Sequence, residues 1–260
     1  MALTAAIVQA RFGSTRLPGK TLLDLAGQSV LSHVLNRCRA IKGIDEVCCA
    51  VPYSSENDPV ANEARSCGAS VFRGSETDVL DRYYGAAKQI GADIVLRVTS
   101  DCPLVDPKIA DEVLRIRNSE GADYACNNMP PTWPHGLDCE VTTFAWLERA
   151  AHEATGKNER EHVTPYIRTH SDARKVNLRS PKMGLENHRW TLDTPKDLEF
   201  FQVLFDRLGN DVHQHGYNKP LQLVEGDVGL QQINSTMDRD GTNQIVPGVI
   251  QKISTNIEPR

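Results

Sequence analysis

The first hundred residues alternate short apolar runs with helix-like stretches, and that alternation limits the fold more than any other feature. Residues 5–8, 46–51, 70–72 and 94–98 read as short strands. Between them, residues 29–41, 59–67 and 79–90 carry helical spacing. Strands that alternate with helices build an α/β layered fold around a largely parallel sheet. In such sheets ligands sit beyond the carboxyl ends of the strands. The loop after the first strand and the loop after the fourth should therefore face one crevice.

The loop after the first strand, residues 9–20, reads QARFGSTRLPGK. It carries Arg11, Arg16 and Lys20, the hydroxyls of Ser14 and Thr15, and two glycines, Gly13 and Gly19. Glycines let backbone N–H groups approach an anion closely, so three cations in this setting suit a triphosphate. A solvated basic turn would carry the same charges. The stretch departs from the phosphate loop G-x-x-x-x-G-K-[ST] because five residues separate Gly13 from Gly19. Pro18 also lacks an N–H for a phosphate nest.

Four further stretches concentrate polar chemistry. Arg73 and Ser75 follow the third strand and so lie near the crevice, with Ser75 or Thr77 placed to cap the next helix and Asp81 on a solvated helix face. Asp101 follows the fourth strand, where a carboxylate can hold Mg²⁺ against phosphate oxygens. Asp106, directly before Pro107, is the better helix cap. Leu137, Cys139 and Val141 alternate, which would place Asp138 and Glu140 together on the other face of a strand, in a polar pocket or on an exposed surface. Arg160, Glu161 and His162 stand near a helix start and can bind anions or hydroxyls. Residues 189–198 suggest a short strand ending at Asp193. Thr194, Pro195 and Asp197 then start a helix, which leaves Asp193 as a second metal ligand opposite Asp101.

Composition excludes several classes. The 260 residues carry a formal charge of −5, which argues against broad binding to nucleic acid. No run approaches the roughly 20 apolar residues of a membrane span. The apolar run at the N-terminus ends at Arg11 without a basic region before it, so it reads as a strand and not a signal peptide. Seven cysteines, with no C-x-x-C pair, suit reduced thiols in a cytoplasm. Cys102 lies beside Asp101 but no base stands near it in sequence to make it a nucleophile. No His/Cys spacing suggests zinc. Residues 210–217 are polar, residues 221–230 can still pack, and from Asn234 the composition is that of a loose tail.

In order, QARFGSTRLPGK, FRGSETDVLDRYYGAA, RVTSDCPLVDP, GLDCE, REHVTPYI and RWTLDTPKDLE resemble the spore-coat polysaccharide biosynthesis protein F family. That family is similar to the acylneuraminate and 3-deoxy-manno-octulosonate cytidylyltransferases. The resemblance implies a three-layer α/β/α nucleotidyltransferase fold, glycosyltransferase-A-like, over residues 1–209, with an extension at 210–260. It implies transfer of a nucleotide from CTP to a sugar, expected to be acidic, giving a CMP-sugar and pyrophosphate for surface glycans. It places the nucleotide on Gln9, Ala10, Arg11, Gly13, Ser14, Arg16 and Lys20, with Arg73 and Ser75 nearby. Arg16, Lys20 and Asp101 would be catalytic, and Asp101 and Asp193 would bind Mg²⁺. Asp138, Glu140, Arg160 and His162 would bind the sugar acceptor. The excursion at residues 123–143 would build a homodimer contact. Rival readings are a glycosyltransferase of the same fold, for which Asp238 and Asp240 have the D-x-D spacing, a phosphate-loop NTPase, and a non-catalytic nucleotide-binding protein.

Overall fold

The computed structural model describes residues 2–209 and 212–235. The chain opens with β1 (Thr4–Gln9), a hairpin of β2 (Asp24–Leu25) and β3 (Gln28–Ser29), and α1 (Val30–Arg39). There follow β4 (Glu46–Pro52), α2 (Asp58–Ser66), β5 (Ser70–Gly74), α3 (Val79–Ile90), β6 (Ile94–Thr99) and α4 (Pro107–Glu120). Apart from the β2–β3 hairpin, which was not expected, these match the expected strands and helices to within a residue or two.

The second half is less regular. β7 (Tyr124–Cys126) and β8 (Glu140–Thr143) flank the proline-rich excursion, and α5 (Phe144–Glu153), α6 (Lys157–His162), α7 (Pro165–Thr169) and β9 (Lys175–Asn177) follow. Then come α8 (Pro195–Leu208), α9 (Asn218–Glu225) and α10 (Val228–Gln232).

The main sheet has the order β5-β4-β1-β6-β8-β7-β9. β1, β4, β5 and β6 run parallel, and β8 alone is reversed against its neighbours. The chain leaves β1 toward β4 and β5, then returns to place β6 on the other side. That reversal sets the crevice at the carboxyl ends of β1 and β6.

Alternation along the inner strands builds the three layers. Ala6, Val8, Cys49, Leu96 and Val98 face α1, α2 and α4 in one core. Ala5, Ile7, Cys48 and Val95 face α3 and α5 in another. β1 is therefore apolar on both faces, as a central parallel strand must be. The Tyr83 hydroxyl of α3 lies 3.2 Å from the Ile7 carbonyl and 2.9 Å from that of Val98, bracing the two strands beneath the crevice.

Several local expectations are corrected. Asp78, not Ser75 or Thr77, caps α3, and the Ser75 hydroxyl accepts instead from the Asp78 N–H. Arg160 and His162 close α6 where a helix start was expected. No strand ends at Asp193: Arg189 makes a single bridge to His135, and residues 190–194 are irregular. β8 begins only at Glu140, so Asp138 precedes the strand. Thr194 and Asp197 do form the reciprocal cap of α8, and Asp106 caps α4.

A third core joins α8, α9 and α10 to Trp190, Leu192, Leu104 and Leu25. The extension thus packs on the main body as far as it is described. Asn234, the expected start of the loose tail, is buried. Asp238 and Asp240 and the rest of that tail lie outside the described residues.

Candidate active site

Two cavities meet at the carboxyl ends of β1 and β6. The first, of about 530 Å³, is bounded by Gln9, Ala10, Arg11, Gly13, Ser14, Thr15, Arg16 and Lys20 of the opening loop. Thr77, Arg82, Asp101, Lys157, His162 and Asp193 are among the residues on its other walls, with the carboxylates of Glu76 and Glu161. The second, of about 580 Å³, is lined by Arg97, His135, Asp138, Glu140, Arg168 and Thr191 among others. Gln9, Thr99, Asp101, His162 and Asp193 border both.

Lys20 sits at the junction. Its Nζ donates to Asp101 Oδ2 at 2.9 Å and to Asp193 Oδ1 at 2.7 Å. Burial disfavours the ammonium, but the two carboxylates outweigh it and raise its pKa to about 12. Burial likewise works against the Asp101 carboxylate, and Lys20 with the Thr99 hydroxyl holds its pKa below the usual range. Arg16 Nη2 lies 3.5 Å from Asp193 Oδ1. Gly19, with φ of 66°, precedes a single turn at Lys20–Leu22, so no long helix points at the loop.

The second cavity has an ionic floor. Glu140 accepts from Tyr124 Oη and Thr164 Oγ1, each at 2.6 Å, and pairs with Arg97 Nη1. Arg168 Nη1 stands 3.7 Å away. Burial opposes the Glu140 charge, yet Arg97, Thr164 and Tyr124 keep its pKa low. Arg97 Nη2 also donates to Gln9 Oε1 at 3.2 Å, which ties this floor to the first cavity. The loop above it turns at Gly136, whose φ of 110° and contact with Trp190 leave no room for a side chain. A Cβ there would lie 1.9 Å from the Trp190 carbonyl oxygen.

Three expected residues line neither cavity. Arg73 pairs with Asp58 and the carbonyls of residues 52–54. Ser75 serves the turn before α3. Arg160 Nε donates to Asp78 Oδ2 at 2.9 Å, and its Nη1 to the Ala151 carbonyl at 2.7 Å. Conversely, Arg97, His135, Lys157, Arg168 and Arg189 stand in or beside the site without a role expected of them, and Arg82, for which a solvated helix face was one reading, lines the first cavity. Arg82 was legible only as one charge on a helix, although it is buried and one guanidinium nitrogen donates to the Ser75 carbonyl. Arg97, Lys157 and Arg168 had no local signal, because the segments that form the site are distant in sequence, whereas His135 and Arg189 have carboxylate partners near in sequence that only the fold turns toward them. Cys102 is buried, and burial with the neighbouring Asp101 pushes its thiol pKa well up, which leaves it a poor nucleophile.

A doubly wound sheet with a cationic loop at its switch point and two carboxylates across from it defines a nucleotide-binding α/β/α protein. The cytidylyltransferase family profile matches residues 5–214, and the chain belongs to that family. It is a CTP-dependent nucleotidyltransferase. An uncharacterized protein of Methanocaldococcus jannaschii is 37% identical, over 92% of this chain and 97% of its own length. The spore coat polysaccharide biosynthesis protein SpsF of Bacillus subtilis is 32% identical, over 78% of this chain and 86% of its own. A cytidylyltransferase structure from Leptospira borgpetersenii superposes with a TM-score of 0.83 at 28% identity, covering 89% of this chain and 98% of that one. Among the described residues no helix is long and apolar enough to cross a membrane.

Proposed function

We propose that the chain couples CTP to an acidic sugar, releasing pyrophosphate and a CMP-sugar for surface glycan synthesis. The observation that carries this reading is the meeting of two cavities at Asp101, Asp193 and Lys20. The first cavity takes the nucleotide: Arg11, Arg16, Lys20 and Ser14 receive the phosphates, while Gln9, Ala10 and Gly13 shape the loop around it. The second takes the sugar, with Asp138 and His162 facing its hydroxyls and Glu140 holding the floor. Arg73, Ser75 and Arg160 act indirectly, by fixing the turns that frame the cavities.

The acceptor hydroxyl attacks the α-phosphorus in line and pyrophosphate leaves. Such a reaction asks the protein for position and charge neutralisation more than covalent chemistry. Arg16 and Lys20 stabilise charge growing on the leaving pyrophosphate. Asp101 and Asp193 would hold Mg²⁺. Both carboxylates reach one point, since a single ammonium nitrogen lies within 3 Å of each. A metal held by these two carboxylates would supply charge that polarises phosphate oxygens. In the nucleotide-free chain Lys20 supplies the positive charge between them.

The test is pyrophosphate release with each of four nucleoside triphosphates against acidic and neutral sugars. CTP with an acidic sugar should turn over best. A preference for an NDP-sugar donor without pyrophosphate release would favour glycosyl transfer instead. Light scattering tests the homodimer expected of this chain, and cell fractionation its cytoplasmic location.

A further inference from the structure

Among the described residues, the extension after α8 reaches the cluster behind Asp193 through Asn234. Asn234 is buried and lies 45 positions beyond Arg189 in the chain. Its amide donates to the Arg189 carbonyl at 3.0 Å and to Asp197 Oδ1 at 3.2 Å. The Arg189 guanidinium, itself buried, forks between two carboxylates. Its Nε reaches Asp197 Oδ1 at 2.9 Å, and its Nη2 reaches Asp197 Oδ2 at 3.0 Å and Asp193 Oδ2 at 3.1 Å. Asp197 also accepts from the N–H groups of Asp193 and Thr194.

The oxygens of Asp193 are thereby divided. Oδ2 is held by Arg189, and Oδ1 faces Lys20 and Arg16 in the crevice. Residues 190–194 form no strand, and the Leu192 N–H, donating to the Asp101 carbonyl at 2.8 Å, fixes the backbone but not the Asp193 side chain. An aspartate side chain has several staggered rotamers, and a fixed partner selects one. A planar fork can span two carboxylates at once, whereas an ammonium acts as a single point of charge.

We infer that Arg189 is a positioning residue that aims Asp193 into the site, and that Asn234 recruits the C-terminal extension to this task. The inference rests on the role proposed above for Asp193. Asn234 locks Arg189 from behind through its carbonyl and through Asp197, so the chain beyond α8 helps to set the geometry of the phosphate site. A purely structural role for the cluster would lower stability and leave the ligand chemistry of Asp193 intact.

The experiment measures how much Mn²⁺ strengthens CTP binding, by titrating the full-length protein with CTP in chelator and in Mn²⁺. Thermal melts accompany each variant. Wild type should gain at least tenfold in affinity from the metal. Asp193→Asn should erase most of that gain. Arg189→Lys should erase about as much, and adding it to Asp193→Asn should cost nothing more. Asn234→Ala should reduce the gain about threefold, with metal-free CTP binding unchanged. If Arg189→Lys does not fold, Asn234→Ala decides. A full metal gain in Arg189→Lys and Asn234→Ala, with Asp193→Asn impaired, overturns the positioning role alone. A full gain in Asp193→Asn overturns both this role and the proposed metal site.

Discussion

The cavity beside the opening loop is walled in part by exposed cations, whereas its neighbour is floored by a buried ion network. Arg11 and Arg16 are exposed, and Arg16 Nη2 lies 3.5 Å from Asp193 Oδ1. Glu140, in contrast, is 4% exposed and has two arginines, a tyrosine and a threonine around it. Exposed cations suit a triphosphate that arrives with its own charge and leaves as pyrophosphate. A closed network suits a wall that keeps one shape for one sugar. Lys20 lines the first cavity and joins the two carboxylates, Asp101 and Asp193, that border both. Substitutions on the floor should therefore be felt first as lost stability, and those on the loop as lost turnover.

The largest effect should come from the floor. Glu140→Gln keeps the shape and leaves Arg97 buried without its carboxylate, a change that costs about 3–5 kcal/mol in comparable buried pairs. Urea unfolding at neutral pH measures it. The pH dependence has a definite sign. The folded pKa of Glu140 is depressed, so its contribution is present above its ordinary value of 4.5 and fades as pH falls through the folded value. The gap between wild type and Glu140→Gln should narrow in acid. An equal gap from pH 7 to pH 3 would sink the claim that this charge stabilises the floor.

Next in size should be the two carboxylates at the junction. Asp101→Asn and Asp193→Asn should each lower pyrophosphate release by about a hundredfold, roughly 2.7 kcal/mol of transition-state stabilisation. The fold should survive, since Asn fills the same volume. Wild-type rates at ordinary Mg²⁺ in either variant would remove the metal from this place.

The contrast also explains what could be read beforehand. The parallel half of the sheet was legible because apolar runs such as residues 5–8 and 46–51 report local burial directly. The opening loop was legible because its charges are contiguous. Asp101 and Asp193 were picked out although no strand ends at Asp193, since a proline-started helix follows and frees that residue from capping. The floor was hidden. Arg97 lies within an apolar strand, and Arg168 lies on a five-residue helix. Neither reveals that Glu140 lies between them, because β6, β8 and α7 meet only in the fold. Arg189 was hidden for a related reason: its partners Asp193 and Asp197 are near in sequence, but only the bend of an irregular segment turns all three together.

Smaller again should be the loop cations. Arg16→Ala and Lys20→Ala each remove a charge-assisted phosphate contact of about 1.5–3 kcal/mol, which is at least tenfold in turnover. Lys20→Ala carries a second consequence that separates it from Arg16→Ala. It leaves Asp101 and Asp193 without their ammonium, and in wild type that ammonium has a pKa of about 12. A lysine whose folded pKa is raised stabilises the fold fully below its ordinary value of 10.5, and that contribution is lost as pH rises through about 12. Wild type should thus melt higher than Lys20→Ala at pH 8 in the absence of nucleotide, with the difference shrinking above pH 11. Normal turnover in both variants would take the loop out of the active site.

The smallest effect tests the border of the comparison. Arg73 and Arg160 lie in motifs of the same family pattern as the loop, yet each is engaged by a carboxylate and by backbone carbonyls outside both cavities. Arg73 binds Asp58 at the start of α2, and Arg160 ties α6 to Asp78, the cap of α3. Their influence must pass through those elements. Arg73→Ala should change turnover by less than about threefold, because a partly exposed pair contributes only about 0–1 kcal/mol. Arg160→Ala should do slightly more, since α6 carries Lys157 and His162 into the cavity wall. Its signature should be a raised KM for both substrates with kcat nearly kept, as His162 borders both cavities. A tenfold fall in kcat for Arg73→Ala would mean that its guanidinium leaves Asp58 for the nucleotide during turnover, and the phosphate side would then extend to β5.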